Sequence, residues 1–415
     1  MPATNADAVF RSASNYSPRQ SRIEKMFVAA IENLQQGELT VNLPSGRSIS
    51  LQGRRDGGSE YRATWNLRSF KALRRMIRRH SIGFAEAYIE GEWDSPDLTE
   101  FLELMCGSLE EVNAYAGKWK PVRLLNRLQH LLRSNSKRGS KRNIAYHYDL
   151  GNDFYEQWLD ASMTYSSALF DADHDDLETA QVNKYRRLAE DLALDASHRV
   201  LEIGCGWGGF AEFAAREYGC HIVCLTLSQE QRAFALKRIE RAGLSDLVEI
   251  RLQDYRDVEG KFDRIVSIEM FEAVGEEHWP TYFNQVRDCL ADDGLAGLQI
   301  ITIENERYEQ YRTGTDFIQK YIFPGGMLPS PEKLAEQFSL AGLNEAGRRT
   351  FGLSYARTLA EWHMTFASRW EAISELGYSE KFRRLWEYYL CYCEAGFRRG
   401  MIDVGHYIVS RSSSA

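Results

Sequence analysis

The run Val200-Leu201-Glu202-Ile203-Gly204-Cys205-Gly206-Trp207-Gly208-Gly209 constrains the fold more than any other part of the chain. An apolar stretch breaks into four glycines, then resumes a helical spacing through Phe210, Ala211, Phe213 and Ala214. That order marks a strand, a tight turn and a helix start. Glycines there let the backbone approach a ligand without side-chain collisions and adopt positive φ. In an open α/β sheet such a turn lies over the end of the first strand, where nucleotide-like cofactors bind. Glu202, just before the turn, disfavours a diphosphate, and the spacing departs from G-x-G-x-x-G. A carboxylate beside G-x-G-x-G suits S-adenosylmethionine, which carries a cationic sulfonium and an amino group and no phosphate. Taken alone, the segment is also compatible with an ordinary glycine-rich strand-to-helix turn.

The surrounding pattern supports a sheet. Strand-like runs at residues 199–203, 221–226, 248–252, 264–267 and 295–302 alternate with helical spacing at 208–218, 229–242 and 278–290. This alternation predicts an α/β fold, a Rossmann-like doubly wound and mostly parallel sheet, over residues 143–415. Ahead of it, residues 21–116 read as a smaller N-terminal α+β domain, with a helix over 23–34. Short alternating runs at 39–43 and 48–51 flank the turn Pro44-Ser45-Gly46-Arg47, a hairpin signal, and a strand is expected near 61–65. Residues 1–20 read as a polar flexible tail.

A chain of 415 residues leaves room for these two domains. Its 44% hydrophobic and 27% charged residues are those of a folded soluble protein. A net charge of −8 disfavours nucleic acid as a partner. No apolar run reaches the roughly 18 residues of a spanning helix, and the N-terminus has no secretory apolar core, so a cytoplasmic location is expected. Seven cysteines without a regular spacing read as free thiols. Cys391-Tyr392-Cys393 lacks a partner pair or a nearby histidine, so no metal site is expected.

Two stretches run against the acidic balance. Arg68, Lys71, Arg74, Arg75, Arg78 and Arg79 interleave with Phe70, Leu73, Met76 and Ile77. This is a solvated helix face or a contact for anionic headgroups. Residues 117–142 form a basic amphipathic linker with nine Lys and Arg, no acid, and leucines at helical spacing. It reads as a reversible contact with an anionic membrane surface, or as a hinge helix.

Further candidates lie at strand ends, where α/β ligands bind. The second strand ends in Thr226-Leu227-Ser228, with Ser228 as a helix N-cap and Gln231 three residues on in a capping-box pattern. Thr226, the Leu227 backbone and Gln231 stand where ribose hydroxyls are usually met. After the third strand, Asp254 can accept from an adenine amino group and Tyr255 can cover the ring. The fourth strand runs into Ile268-Glu269-Met270-Phe271-Glu272, two carboxylates in an apolar context, either paired structural acids or functional ones.

Six ordered motifs then resemble one family, the cyclopropane-fatty-acyl-phospholipid synthases and mycolic acid cyclopropane synthases. They are H-Y-D-L-G-N-D-F-Y (147–155), M-T-Y-S-S-A-L-F (163–170), L-E-I-G-C-G-W-G-G (201–209), L-T-L-S-Q-E-Q (225–231), D-R-I-V-S-I-E-M-F-E-A-V-G (263–275) and K-Y-I-F-P-G-G-M-L-P-S (320–330). The resemblance covers nearly the whole chain and implies a class I methyltransferase fold. It implies S-adenosylmethionine held by Tyr165, Ser166, Glu202, Gly204, Gly206, Thr226, Leu227, Gln231, Asp254 and Tyr255. It implies methyl transfer to the double bond of unsaturated phospholipid acyl chains, then ring closure assisted by a bound bicarbonate base. The bicarbonate set would be Glu272, Tyr355, the backbones of Ser167 and Ile303, and a histidine. Two positions depart: Ser167 stands at a usual cysteine and Ile301 at the histidine. Strand side chains repeat every second residue, so Gln299 shares a face with Ile301 and can supply a substitute hydrogen bond. The family context implies peripheral association with the inner face of the membrane and leaves a homodimer open. Methyl or methylene branching without ring closure, and a non-catalytic lipid-binding protein, are the alternatives.

Overall fold

The computed structural model describes Phe27, Ile31 and residues 37–53, 61–106 and 150–412. The N-terminal tail, the basic stretch 117–142 and His147-Tyr148-Asp149 lie outside the described residues, as does most of the expected helix 23–34. The chain divides into two compact units. The first takes the described residues up to Cys106 together with Lys381–Ala395, and the second takes Leu150 to Glu380 and the residues from Gly396 onward.

The first unit carries a four-stranded sheet in the order β2-β1-β3-β4. Strands β1 (Glu38–Asn42) and β2 (Ser48–Gln52) pair antiparallel, as the hairpin signal predicts. Strand β3 (Arg62–Leu67) runs parallel to β1, and the short β4 (Trp93–Asp94) is antiparallel to β3. Alternation places Leu39, Val41, Trp65 and Leu67 inside, where Trp65 and Trp93 meet Phe84 and Phe101. The basic segment forms helix α1 (Lys71–Ile89), broken at His80, whose φ of 50° leaves the helical region. Its second half is buried; in the first half Arg75 pairs with Glu92, while Lys71, Arg74 and Arg78 are exposed.

The second unit is built on a seven-stranded sheet in the order β10-β11-β9-β8-β5-β6-β7. Its strands are β5 (Arg199–Ile203), β6 (His221–Thr226), β7 (Val248–Leu252), β8 (Phe262–Ile268), β9 (Leu290–Ile303), β10 (Leu343–Thr350) and β11 (Ile402–Arg411). Strands β5 to β9 pair in parallel, and β11 runs antiparallel between β9 and β10. The first five strands fall where the hydrophobic runs predict. The other two have no counterpart in the sequence reading: β10 is mostly exposed and carries two arginines, so it shows no apolar run.

Helices cover both faces, so the central strands β5 and β6 are buried almost throughout, with successive side chains packing to opposite sides. Val200, Ile222, Cys224 and Ile250 pack with helices α2 (Leu177–Asp191), α3 (Gly209–Tyr218) and α4 (Gln229–Arg241). Leu201, Ile203, Val223 and Leu225 pack with α5 (Trp279–Cys289) and α6 (Pro331–Leu340). Each fully buried aliphatic side chain contributes about 1.5–3 kcal/mol. The N-termini are specified locally: Asp176 accepts from Thr179 N ahead of α2, and Ser330 precedes Pro331 at the start of α6. Two further helices, α7 (Gly352–Ser368) and α8 (Glu380–Arg398), precede β11. All seven cysteines are free, six of them buried.

Strand β11 can lie beside β10 because Gly405 has no side chain. A Cβ at Gly405 would stand 2.7 Å from the Arg349 carbonyl oxygen and 3.1 Å from Thr350 Cγ2. Backbone cannot yield as a side-chain tip does, so Gly405→Ala should destabilise the second unit by about 1–3 kcal/mol. The denaturant midpoint of the purified variant checks this, and a parental midpoint would show that the β10–β11 spacing relaxes freely.

Candidate active site

A single cleft opens at the carboxyl ends of β5, β6, β7 and β8, and it is lined by all ten residues expected to meet the cofactor. Gly204 has φ of 83°, and a Cβ there would collide with Met270 Cγ at 2.7 Å. Gly206 has φ of 52° and faces open space, so its bare backbone forms part of the cleft wall. Glu202 lines the cleft and is otherwise enclosed; burial pushes its pKa up to about 7. On the opposite wall, Ser166 is held from behind: Lys184 Nζ donates to its Oγ at 2.7 Å, and Gln181 Nε2 donates to its carbonyl at 2.9 Å. Burial pushes the pKa of Lys184 down to about 7. Tyr165 sits in an aromatic group with Tyr155, Trp158 and Trp362.

Around the end of β6 the expected capping box is only half made. Ser228 Oγ accepts from Gln231 N at 3.2 Å, but the Gln231 side chain does not reach back. Thr226 does so instead: its Oγ1 accepts from Ser228 N and donates to Gln231 Oε1 at 2.9 Å. Asp254 is engaged by Arg256, which donates to one carboxylate oxygen through Nε at 2.8 Å and to the other through Nη2 at 2.7 Å. Tyr255 leans on Tyr282 at the cleft margin.

Behind the cleft, three groups expected to hold a bicarbonate converge on a residue without an assigned role. Glu269 Oε1 accepts from Ser167 N at 2.7 Å and from Gln299 Nε2 at 2.7 Å, and Glu269 Oε2 accepts from Tyr355 Oη at 2.6 Å. Its own amide donates to the Gln299 carbonyl at 2.9 Å. Glu269 follows β8 directly and has φ of 49°, a left-handed conformation for a non-glycine residue, held by four hydrogen bonds. Glu269 is also one of the residues lining the cofactor cleft. Burial holds this carboxyl above the usual range, a rise that the Tyr355, Ser167 and Gln299 hydrogen bonds and the Lys184 charge reduce.

The remaining two residues of the expected set are placed differently. Glu272 Oε1 accepts from Ile301 N at 2.6 Å, while its Oε2 is buried with no partner among the described residues. Burial first, and the neighbouring Glu269 charge second, push the Glu272 pKa up to about 8. Ile303 does not join the cluster: its amide donates to the Pro329 carbonyl at 3.0 Å. As arranged, the donors that would hold bicarbonate are spent on a carboxylate of the chain itself. The clue in the sequence was the pair of acids three residues apart at a strand end, of which only Glu272 matched the family pattern.

The sheet order, the single antiparallel strand β11 and a glycine-turned cleft at the carboxyl ends of the parallel strands define a class I S-adenosylmethionine-dependent methyltransferase. The family model described as mycolic acid cyclopropane synthetase matches residues 135–407, and the chain belongs to that family. Over 394 residues it is 38% identical to the tuberculostearic acid methyltransferase UfaA1 of Mycobacterium tuberculosis, covering 92% of this chain and 91% of that one. It is 37% identical over 340 residues to the cyclopropane-fatty-acyl-phospholipid synthase of Escherichia coli K12, covering 82% and 85%. Among solved structures, the cyclopropane synthase MmaA2 from Mycobacterium tuberculosis has a TM-score of 0.62 at 30% identity, over 65% of this chain and 98% of that one. Mycolic acid cyclopropane synthase CmaA1, complexed with SAH and CTAB, has the same values. The protein is accordingly a cyclopropane-fatty-acyl-phospholipid synthase-like methyltransferase that uses S-adenosylmethionine.

The open wall at Gly206 gives a direct test of the cleft. A valine there adds a branched side chain where the cofactor must lie against backbone, at a φ that β-branched residues avoid. Gly206→Val should abolish S-adenosylmethionine binding by calorimetry while circular dichroism stays parental. Unchanged affinity in the folded variant would move the cofactor elsewhere.

Proposed function

We propose that this enzyme adds a methylene group across the double bond of unsaturated acyl chains of membrane phospholipids, giving cyclopropane fatty acids, and that Glu269 is its base. S-adenosylmethionine supplies the electrophilic methyl group. An isolated alkene is a weak nucleophile, so transfer depends on close placement in a dry site. The acyl carbon left electron-poor is relieved when a proton leaves the new methyl group and the ring closes. Glu269 accepts that proton. The observation that carries this reading is the convergence of Tyr355 Oη, Gln299 Nε2 and Ser167 N on its carboxylate. They hold the carboxylate in one orientation, and burial raises its pKa, which makes it a stronger proton acceptor than an exposed carboxylate. No bicarbonate is required by this scheme. Gln299 supplies the hydrogen bond expected to replace the family's histidine, whose position Ile301 occupies, and Glu272, with its raised pKa, lies beside it.

The similarity to a tuberculostearic acid methyltransferase favours a second outcome from the same site, a methyl or methylene branch. There a hydride moves from the methylated carbon to the electron-poor one, and the base then takes a proton from the new methyl to leave a methylene branch, or from a neighbouring chain carbon to leave a methyl-branched alkene. The ring and the branched alkene have equal mass, so proton NMR of esters from an expressing host separates them.

Glu269→Gln keeps the shape and removes the base. Turnover should fall by about 10²-fold or more, with S-adenosylmethionine affinity changed far less. Parental turnover should survive removal of bicarbonate from the assay. A Glu269→Gln enzyme of near-parental rate, or a parent that stops without bicarbonate, would sink the assignment.

The lipid surface is met, in this reading, by the first half of α1. Lys71, Arg74 and Arg78 are exposed on one face, and Ile77 beside them is 69% exposed. Basic groups around an apolar one suit anionic headgroups, and no helix among the described residues is long and apolar enough to cross a membrane. Replacing the three basic residues with Gln should weaken binding to anionic vesicles at low salt, each contributing about 1 kcal/mol, and the difference should shrink as salt rises. Equal vesicle binding by parent and variant would leave α1 as an ordinary solvated face.

A further inference from the structure

We propose that His406 is a positioning residue that sets the base by fixing which way the Gln299 amide points; this rests on Glu269 being the base. Gln299 and His406 are directly opposite partners across the β9–β11 ladder, and both are fully buried. His406 Nε2 lies 3.0 Å from Gln299 Oε1. On its other side Gln299 Nε2 donates to Glu269 Oε1 at 2.7 Å and approaches the Ser167 carbonyl at 3.5 Å.

An amide has two orientations, and only one serves Glu269. With its nitrogen toward the carboxylate, Gln299 donates; turned over, it would set oxygen against oxygen. The choice is made on the far side. Because Gln299 Oε1 can only accept, His406 Nε2 must carry the hydrogen, so the ring is the Nε2–H tautomer. The opposite tautomer would offer Nε2 as an acceptor and favour the turned amide. His406 Nδ1 has no partner among the described residues, and the Phe351 ring packs edge-on at 4.9 Å. A hydrogen on Nδ1 would therefore be an unsatisfied donor in an apolar setting, which keeps it on Nε2. Burial, and then the charges of Lys184, Arg349 and Arg187, hold the ring well below the usual histidine pKa, at about 3, so it stays neutral. The chain His406–Gln299–Glu269 is thus a one-way series of donors that ends on the base. His406 touches neither the cleft nor the reacting carbons.

The geometry makes a contrast between substitutions. A glutamine at 406 can place an N–H donor near the Nε2 position; an asparagine is too short, and a leucine has no donor. His406→Gln should keep turnover within about threefold of the parent. His406→Asn and His406→Leu should each lose about tenfold in kcat, the loss of one orienting buried hydrogen bond, with S-adenosylmethionine affinity unchanged. In a Gln299→Leu background, adding His406→Leu should cost nothing more in kcat, because the amide through which it acts is gone. A merely structural role predicts independent losses and no difference between Gln and Asn. Additive losses, or equal rates for His406→Gln and His406→Asn, overturn the inference, and the Gln/Asn pair still decides if the leucine variant does not fold. Glu269→Gln measured alongside keeps the two readings apart. If it is active, the base assignment fails; if it is inactive while all His406 variants match the parent, only the positioning role fails.

Discussion

One carboxylate organises the inner side of the cofactor cleft. Glu269 sits in a backbone conformation that side chains avoid, and a strain of this kind costs about 1–3 kcal/mol. Such a conformation persists only where its surroundings over-determine it. Here three elements do so through four hydrogen bonds: the loop before α2 gives the Ser167 amide, β9 gives the Gln299 side chain and carbonyl, and α7 gives Tyr355. Each donor is set by its own element, and the elements are set by the sheet. A shift of β9 against β8 would turn Gln299 away and remove two of the four bonds at once.

The same arrangement explains how the two acids of the Ile268–Glu272 turn differ. They are three residues apart in the same apolar surroundings, yet Glu269 receives three side-chain-directed donors and Glu272 only one. Desolvation raises both and hydrogen bonds lower both, but Glu269 has more donors and the Lys184 charge as well, whereas the Glu269 charge raises Glu272 further. The result is one carboxylate with three donors and one with a single donor, in the same turn.

Much of this was legible in the residues. Strands β5 to β9 and the glycine turn carry strong local signals, since a buried parallel strand is an apolar run and a tight turn needs glycine. Eight of the ten cleft residues lie at strand ends or just beyond them, where the topology fixes a ligand's place, while Tyr165 and Ser166, ahead of α2, were reached only through the family resemblance. Strand β10 was not legible, being an exposed, charged edge without apolar periodicity. His406 was not either. Its partner Gln299 is 107 residues away in sequence, and only the antiparallel placement of β11 makes them neighbours. Glu269 was visible as a carboxylate at a strand end but carried no role, because its meaning lies in which donors turn toward it. Family likeness pointed to Glu272 in its place, an acid that matches by position but meets only the Ile301 amide.

Strand β11 lies between β9 and β10 although it is synthesised after both. A ribosome therefore delivers the two outer partners before the strand that joins them, and β10 has no ladder to enter until β11 arrives. During that interval the edge of β9 that later receives β11 is open, with Gln299 unpaired on the side where His406 will stand. The sheet therefore cannot grow strand by strand in the order of translation. The β9 edge is completed only when β11 is in place, and β11 is the strand that sets His406 opposite Gln299.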